Sequence, residues 1–171
     1  IIVKILYKIK IYRKSIVILL ALIQDFKVFF FFHILWRMQK NILKESPYSV
    51  EKAVTILNND GIVALKTETV YGVACNANSI FSIESVYNLK KRPLFNPLII
   101  HVNTLEMANK IAVFSNVSKK IAKHFWPGPL TLILPRRKNC LVKDFAVAGL
   151  ETIALRIPDS KVFQKILEKF K

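Results

Sequence analysis

The chain has 171 residues, 53% of them hydrophobic and 22% charged, with four glycines and a formal net charge of +16. That length suits one domain with a real core, which excludes collagen-like, disulfide-scaffold and fully disordered classes. Two cysteines, Cys75 and Cys140, cannot form a disulfide framework or a four-ligand zinc site, so a reducing, cytoplasmic setting is expected.

Residues 1–37 differ from the rest. They hold seven basic side chains against one acid, Asp25, and contain no Gly, Pro, Glu, Thr or Asn. The apolar run Ile16–Ile23 is interrupted by Gln24, Asp25 and Lys27 before a second run, Val28 to Trp36. Charges near the centre of a spanning helix are costly, and a small-residue cleavage site for a secretory signal is missing. The preferred expectation is a non-native upstream extension, translated ahead of Met38. The other is a hydrophobic basic segment acting as a single tilted anchor; on the preferred reading a membrane partner is not expected.

Residues 38–171 are expected to form the domain proper, with twenty basic and ten acidic side chains. A field of that sign favours anionic partners such as nucleotides, RNA or acidic membrane surfaces. Ser49 should cap an amphipathic helix using Val50, Ala53, Val54, Ile56 and Leu57, stopped at Asn58–Gly61. Ile62–Leu65 reads as a strand, Thr67-Glu68-Thr69 as a polar link, and Val70–Cys75 as a second strand. Ser79 caps a helix whose apolar face would use Ile80, Ile83, Val86, Tyr87 and Leu89, ending at Lys90-Lys91-Arg92 before Pro93. Pro97–Val102 is the next strand. Helices follow over Leu105–Ala112 and Ser118–Phe125, and Trp126-Pro127-Gly128-Pro129 then breaks the chain. Strands Leu130–Leu134 and Thr152–Ile157 and a last helix, Ser160–Phe170, complete the pattern. Alternating strands and helices imply an α/β class with a mixed sheet flanked by helices.

Phosphate-cradling glycine loops, the HExxH zinc-protease pattern and the GxSxG elbow are all missing from the sequence. A bound nucleotide must therefore lean on side-chain cations. Lys90 and Arg92, where a helix stops, can converge on one anion, although cations are favoured at helix C-termini in any case. The Thr67-Glu68-Thr69 hydroxyls suit either a small substrate or turn bonds to backbone. His101 ends an apolar strand and reads first as a core-edge residue, and His124 beside Phe125 and Trp126 as a packing one. Arg156 lies inside an apolar strand, where a buried cation needs an anion. A structural ion pair and a substrate carboxylate fit it equally well.

Four ordered segments, "KTETVYGVACNAN", "NLKKRPLFNPLIIHV", "WPGPLTLIL" and "TIALRIP", resemble successive motifs of the YrdC-like threonylcarbamoyl-adenylate synthases over about residues 46–171. The resemblance implies a twisted α/β sheet with a basic concave cavity. It also implies a nucleotidyltransferase that joins L-threonine, bicarbonate and ATP into threonylcarbamoyl-AMP and pyrophosphate. The product serves tRNA threonylcarbamoyladenosine modification, so RNA and the tRNA-transfer machinery are the implied partners. Carried onto this chain, Lys90, Arg92, Asn96 and Thr152 would hold ATP. Thr69, His101 and Arg156 would contact threonine, Thr67 would line the pocket, and Mg2+ would arrive with ATP. No dedicated catalytic residue or metal cage is implied.

Lys66 replaces the family's usual Pro, and Lys91 stands where Gly or Asn is common. The family pattern also continues past Lys171 with a strand and a Ser-Ala-Asn loop. The expectation is accordingly a C-terminally incomplete domain with little activity. The rival reading is a non-catalytic RNA-binding module of the same fold, whose affinity would fall steeply with salt.

Overall fold

The computed structural model describes residues 42–170, and the expectations for residues 1–37 lie outside them. The elements belong to a compact unit spanning Glu45–Lys171. They run α1 (Pro47–Asn58), β1 (Val63–Lys66), β2 (Tyr71–Ala74), α2 (Ile80–Lys90), β3 (Ile99–His101), α3 (Leu105–Ile111) and α4 (Asn116–Phe125). β4 (Leu132–Pro135), a 3-10 turn (Asp144–Val147), β5 (Thr152–Arg156) and α5 (Lys161–Lys169) follow.

Serine and threonine caps start the helices. Ser79 caps α2 and Ser160 caps α5, as expected from sequence. α1 starts earlier than expected: Ser46 is its cap, Pro47 fills the first turn, and Ser49 is the reciprocal partner of a capping box. α4 likewise begins at Asn116 under Ser115 rather than at Ser118. α2 buries Ser82, Ile83, Val86 and Tyr87, whereas Ile80 and Leu89 of its expected apolar face are exposed. Ser82 can replace an apolar residue there because its hydroxyl donates to the Asp60 carbonyl at 2.9 Å.

The strands form two sheets. β1 and β2 pair as an antiparallel hairpin around the Thr67–Val70 turn. The second sheet has order β3-β5-β4, with β3 parallel and β4 antiparallel to the central β5. Period-two alternation gives this sheet two unlike faces. Ile100, Leu134, Ile153 and Leu155 are buried in a core that includes Ile83, Tyr87, Val102, Ala146 and Trp126. Ile99 and Ile133, level with Ala154, stand 45% and 72% exposed on the opposite face.

A second cluster joins α1 and β1 to α5 through Val54, Leu57, Leu65, Phe163 and Ile166. Phe163 carries this cluster to the C-terminal end of β3. His101 at the end of β3 lies level with Arg156, and its ring packs on Phe163 of α5 at a centroid distance of 4.9 Å.

Candidate functional site

Arg156 closes β5 and is only 8% exposed. Its guanidinium is held on two sides. Nε donates to the Gly128 carbonyl at 3.1 Å, and Nη2 donates to Glu68 Oε1 in an ion pair, with Thr69 Oγ1 at 3.5 Å. Gly128 is required where it stands, because a Cβ would lie 2.5 Å from the Phe125 carbonyl oxygen. Of the five guanidinium hydrogens, the two on Nη1 meet no protein acceptor among the described residues.

Glu68 was not singled out from sequence. Its side chain is 18% exposed, and its second oxygen accepts from the Asp159 backbone N–H at 3.1 Å. Burial pushes its carboxyl up, but the Arg156 hydrogen bond and charge and the backbone donors of Glu68 and Asp159 outweigh that. The carboxyl sits below its ordinary value and stays ionised. The available signal was the buried arginine itself, which demanded an anion, and the acid flanked by two threonines at a strand turn.

The threonines divide their work. Thr67 Oγ1 donates to the Val70 carbonyl at 2.7 Å and accepts from the Val70 N–H at 3.1 Å, so it builds the hairpin turn. Thr69 Oγ1 lies 3.0 Å from Thr67 Oγ1 and faces Arg156. His101 is half-buried. Burial, with the Arg156 cation beside it, pushes its imidazole down to about 4, so the ring is neutral near neutral pH. Thr69, His101 and Arg156 therefore meet at one place, with Thr67 supporting the turn.

The other predicted residues gather at the opposite end of the β3–β5 pair. Arg92 lies just beyond the α2 C-terminus, where Lys91 adopts a left-handed conformation with φ 48°. Glycine and asparagine take that geometry more easily, a physical reason for their use at this position. Arg92 Nε and Nη2 donate to the Asn96 carbonyl at 3.0 Å, Asn96 Oδ1 at 2.6 Å and the Pro97 carbonyl at 2.8 Å. Tyr87 donates its hydroxyl to the same Asn96 carbonyl at 2.9 Å, bracing the loop from the core. Lys90 is exposed in the last turn of α2. This loop enters β3 at Ile99, level with Ala154, and thus beside the Thr152 end of β5. Thr152 is exposed and shares a strand face with Arg156, four residues on.

His124 is exposed and touches the Phe125 ring edge-on at 4.6 Å. Burial pushes the Cys75 thiol up to about 11, leaving it protonated. A separate cleft of about 260 Å³ is lined by Arg136, Arg137, Lys138, Asp144 and Gly149–Glu151 and contains none of the predicted site residues. Its main cation, Arg136, is occupied by the Asp144 carboxylate and the Val142 carbonyl, both at 2.5 Å. The candidate site is instead the open sheet face.

The family model described as "Telomere recombination", that of the Sua5/YciO/YrdC proteins, matches residues 55–171. A threonylcarbamoyl-AMP synthase of Bacillus subtilis is 39% identical over 111 residues, covering 64% of this chain and 32% of the relative. Another, of Pyrococcus abyssi, is 36% identical over 122 residues, covering 71% of this chain and 35% of the relative. This chain thus spans about a third of the length of these two curated relatives. The crystal structure of P. abyssi Sua5 complexed with L-threonine superposes with a TM-score of 0.69 at 34% identity, covering 74% of this chain and 37% of that one. Order of motifs, fold and matched span agree, and the chain belongs to the Sua5/YciO/YrdC family.

Proposed function

We propose that this chain takes part in the synthesis of threonylcarbamoyl-AMP from L-threonine, bicarbonate and ATP. The observation that carries the reading is the grouping of these residues about the two ends of the β3–β5 pair. Arg156, Thr69 and His101 stand at one end of β5, and the braced Arg92–Asn96 loop and Thr152 stand at the other. Two relatives named as threonylcarbamoyl-AMP synthases and a threonine-bound neighbour support it. They do not favour the rival reading of a non-catalytic RNA-binding module.

In this scheme the threonine amine adds to bicarbonate with loss of water, giving a carbamate. A carbamate oxygen then attacks the α-phosphorus of ATP, and pyrophosphate leaves. Two anions must approach one another, so fixed cations and positioning supply the catalysis. Arg156 takes the threonine carboxylate through Nη1, Thr69 and neutral His101 flank it, and Thr67 holds Thr69 in place. Lys90, Arg92 and Asn96 take the phosphates, and Thr152 contacts the nucleotide. Magnesium belongs to the proposal only as part of the ATP complex. Among the described residues no group of three or more His, Cys, Asp or Glu side chains converges to cage it.

A cytoplasmic setting and delivery of the product to tRNA-modifying machinery belong to the same proposal. Among the described residues no helix is long and apolar enough to cross a membrane. The test is pyrophosphate release from ATP. Whatever release the chain supports, little as is expected from its sequence, should depend on both threonine and bicarbonate, and ATP turnover indifferent to threonine would refute the reading.

A further inference from the structure

The geometry points to Glu68 as the residue that positions Arg156 and sets the charge preference of the amino-acid site. The inference rests on the proposed threonine reading and adds a residue to it. Glu68 comes from the hairpin turn after β1, Arg156 from the end of β5, and 88 residues separate them in sequence. The carboxylate holds both ends of this junction at once. Oε1 accepts from Arg156 Nη2 while Oε2 accepts from the backbone N–H of Asp159, three residues beyond the arginine. The Gly128 carbonyl fixes the Nε edge. With Nε and Nη2 committed, the planar guanidinium cannot turn about its own axis, and Nη1 is the amino group left to a ligand.

Charge follows from the same contacts. Of the titratable groups about Arg156, Glu68 pairs with it and His101 lies level with it at the end of β3. One cation and one carboxylate beside a neutral imidazole leave the locus with no net charge. Such a site suits a zwitterion, whose carboxylate meets Arg156 Nη1 while its ammonium is tolerated beside the Glu68 carboxylate. A bare carboxylate without the amine brings an uncompensated negative charge toward Glu68. Glu68 therefore favours an amino acid over the corresponding hydroxy acid. This selectivity is not a by-product of holding the fold, because an uncharged residue of the same shape could make the backbone contact but not the charge distinction.

The test compares L-threonine with its des-amino analogue, which keeps the carboxylate and hydroxyl but carries a net negative charge. Calorimetric titrations use the full chain and the variants Glu68→Gln and Glu68→Asp. Glu68→Gln should weaken threonine about tenfold, the scale of a hydrogen bond to a charged group, and bind the des-amino analogue as well as the wild type or better. Glu68→Asp, which keeps the charge, should retain the preference for threonine even where affinity falls. Nitrogen-15 spectra should show restrained Arg156 guanidinium rotation in the wild type and averaging in Glu68→Gln. Equal loss of both ligands in Glu68→Gln would reduce Glu68 to a structural residue and overturn the inference. Threonine binding unchanged by Glu68→Gln would overturn it as well. A wild-type chain that shows the restrained guanidinium yet binds no threonine would defeat the substrate reading first, and the selectivity with it.

Discussion

His101 should make the protein lose stability in mildly acidic solution. Its imidazole is pushed from 6.5 to about 4 by burial and by the neighbouring Arg156 cation. Between those values the unfolded chain binds a proton that the folded chain refuses, so stability rises with pH across the window. It is fully present above 6.5 and drains away as pH falls toward about 4, below which this group adds no further loss. The full difference corresponds to about 3 kcal/mol at ~1.4 kcal/mol per pKa unit, and about 2 kcal/mol of it falls between roughly pH 7 and roughly pH 5. Glu68 works lower on the scale. Its carboxyl is held below the ordinary value of 4.5, so its contribution is present above that value and fades only as pH falls through the depressed one. Urea unfolding near pH 7 and near pH 5 therefore isolates the imidazole, and His101→Gln should remove most of the difference. An imidazole that titrates near 6.5 by NMR, or a pH slope untouched by His101→Gln, would refute the reasoning.

Leu155→Ala should cost about 2–5 kcal/mol in denaturant unfolding, because the side chain is fully buried on the central strand. Gly128→Ala should cost about 1–3 kcal/mol by overpacking against the Phe125 carbonyl, and should weaken threonine by moving the Gly128 carbonyl off Arg156. An unchanged unfolding midpoint would mean the backbone relaxes freely there. Arg92→Ala should weaken ATP by about 1.5–3 kcal/mol in calorimetry while leaving threonine affinity intact. Equal loss of both ligands would place Arg92 in the loop's architecture alone.

Helix ends were largely legible because hydroxyl caps announce themselves: Ser79 and Ser160 cap as read. Ser46 was overlooked in favour of Ser49 since a capping box places a serine at each end, and only the backbone reveals which one is the cap. Strand positions were found to within a few residues, but their division into a hairpin and a three-stranded sheet was not. Alternation says which side chains share a face and nothing about which strand is the neighbour. The Asp144–Val147 turn has no amphipathic period to detect. At the site, the motifs supplied the arginines, threonines and His101, whereas Glu68 needed a contact across 88 residues. Thr67, expected to line the pocket, spends its hydroxyl on its own turn, an alternative the sequence had left open.

That long span between Glu68 and Arg156 also bears on the order in which the molecule assembles. Closing a loop of 88 residues costs roughly 2 kcal/mol more chain entropy than closing a tight turn of about ten. The β1–β2 hairpin and the capped helices need only near neighbours, so they can form early. The parallel β3–β5 pair and the ion pair beyond it depend on distant segments arriving together, which slows folding. The site proposed for the amino acid is then among the last features to form, and a ligand bound there would stabilise only chains that have completed the journey. On the proposed reading, threonine would act as a proofreader of folding, selecting finished molecules over those with correct local structure and an unjoined core.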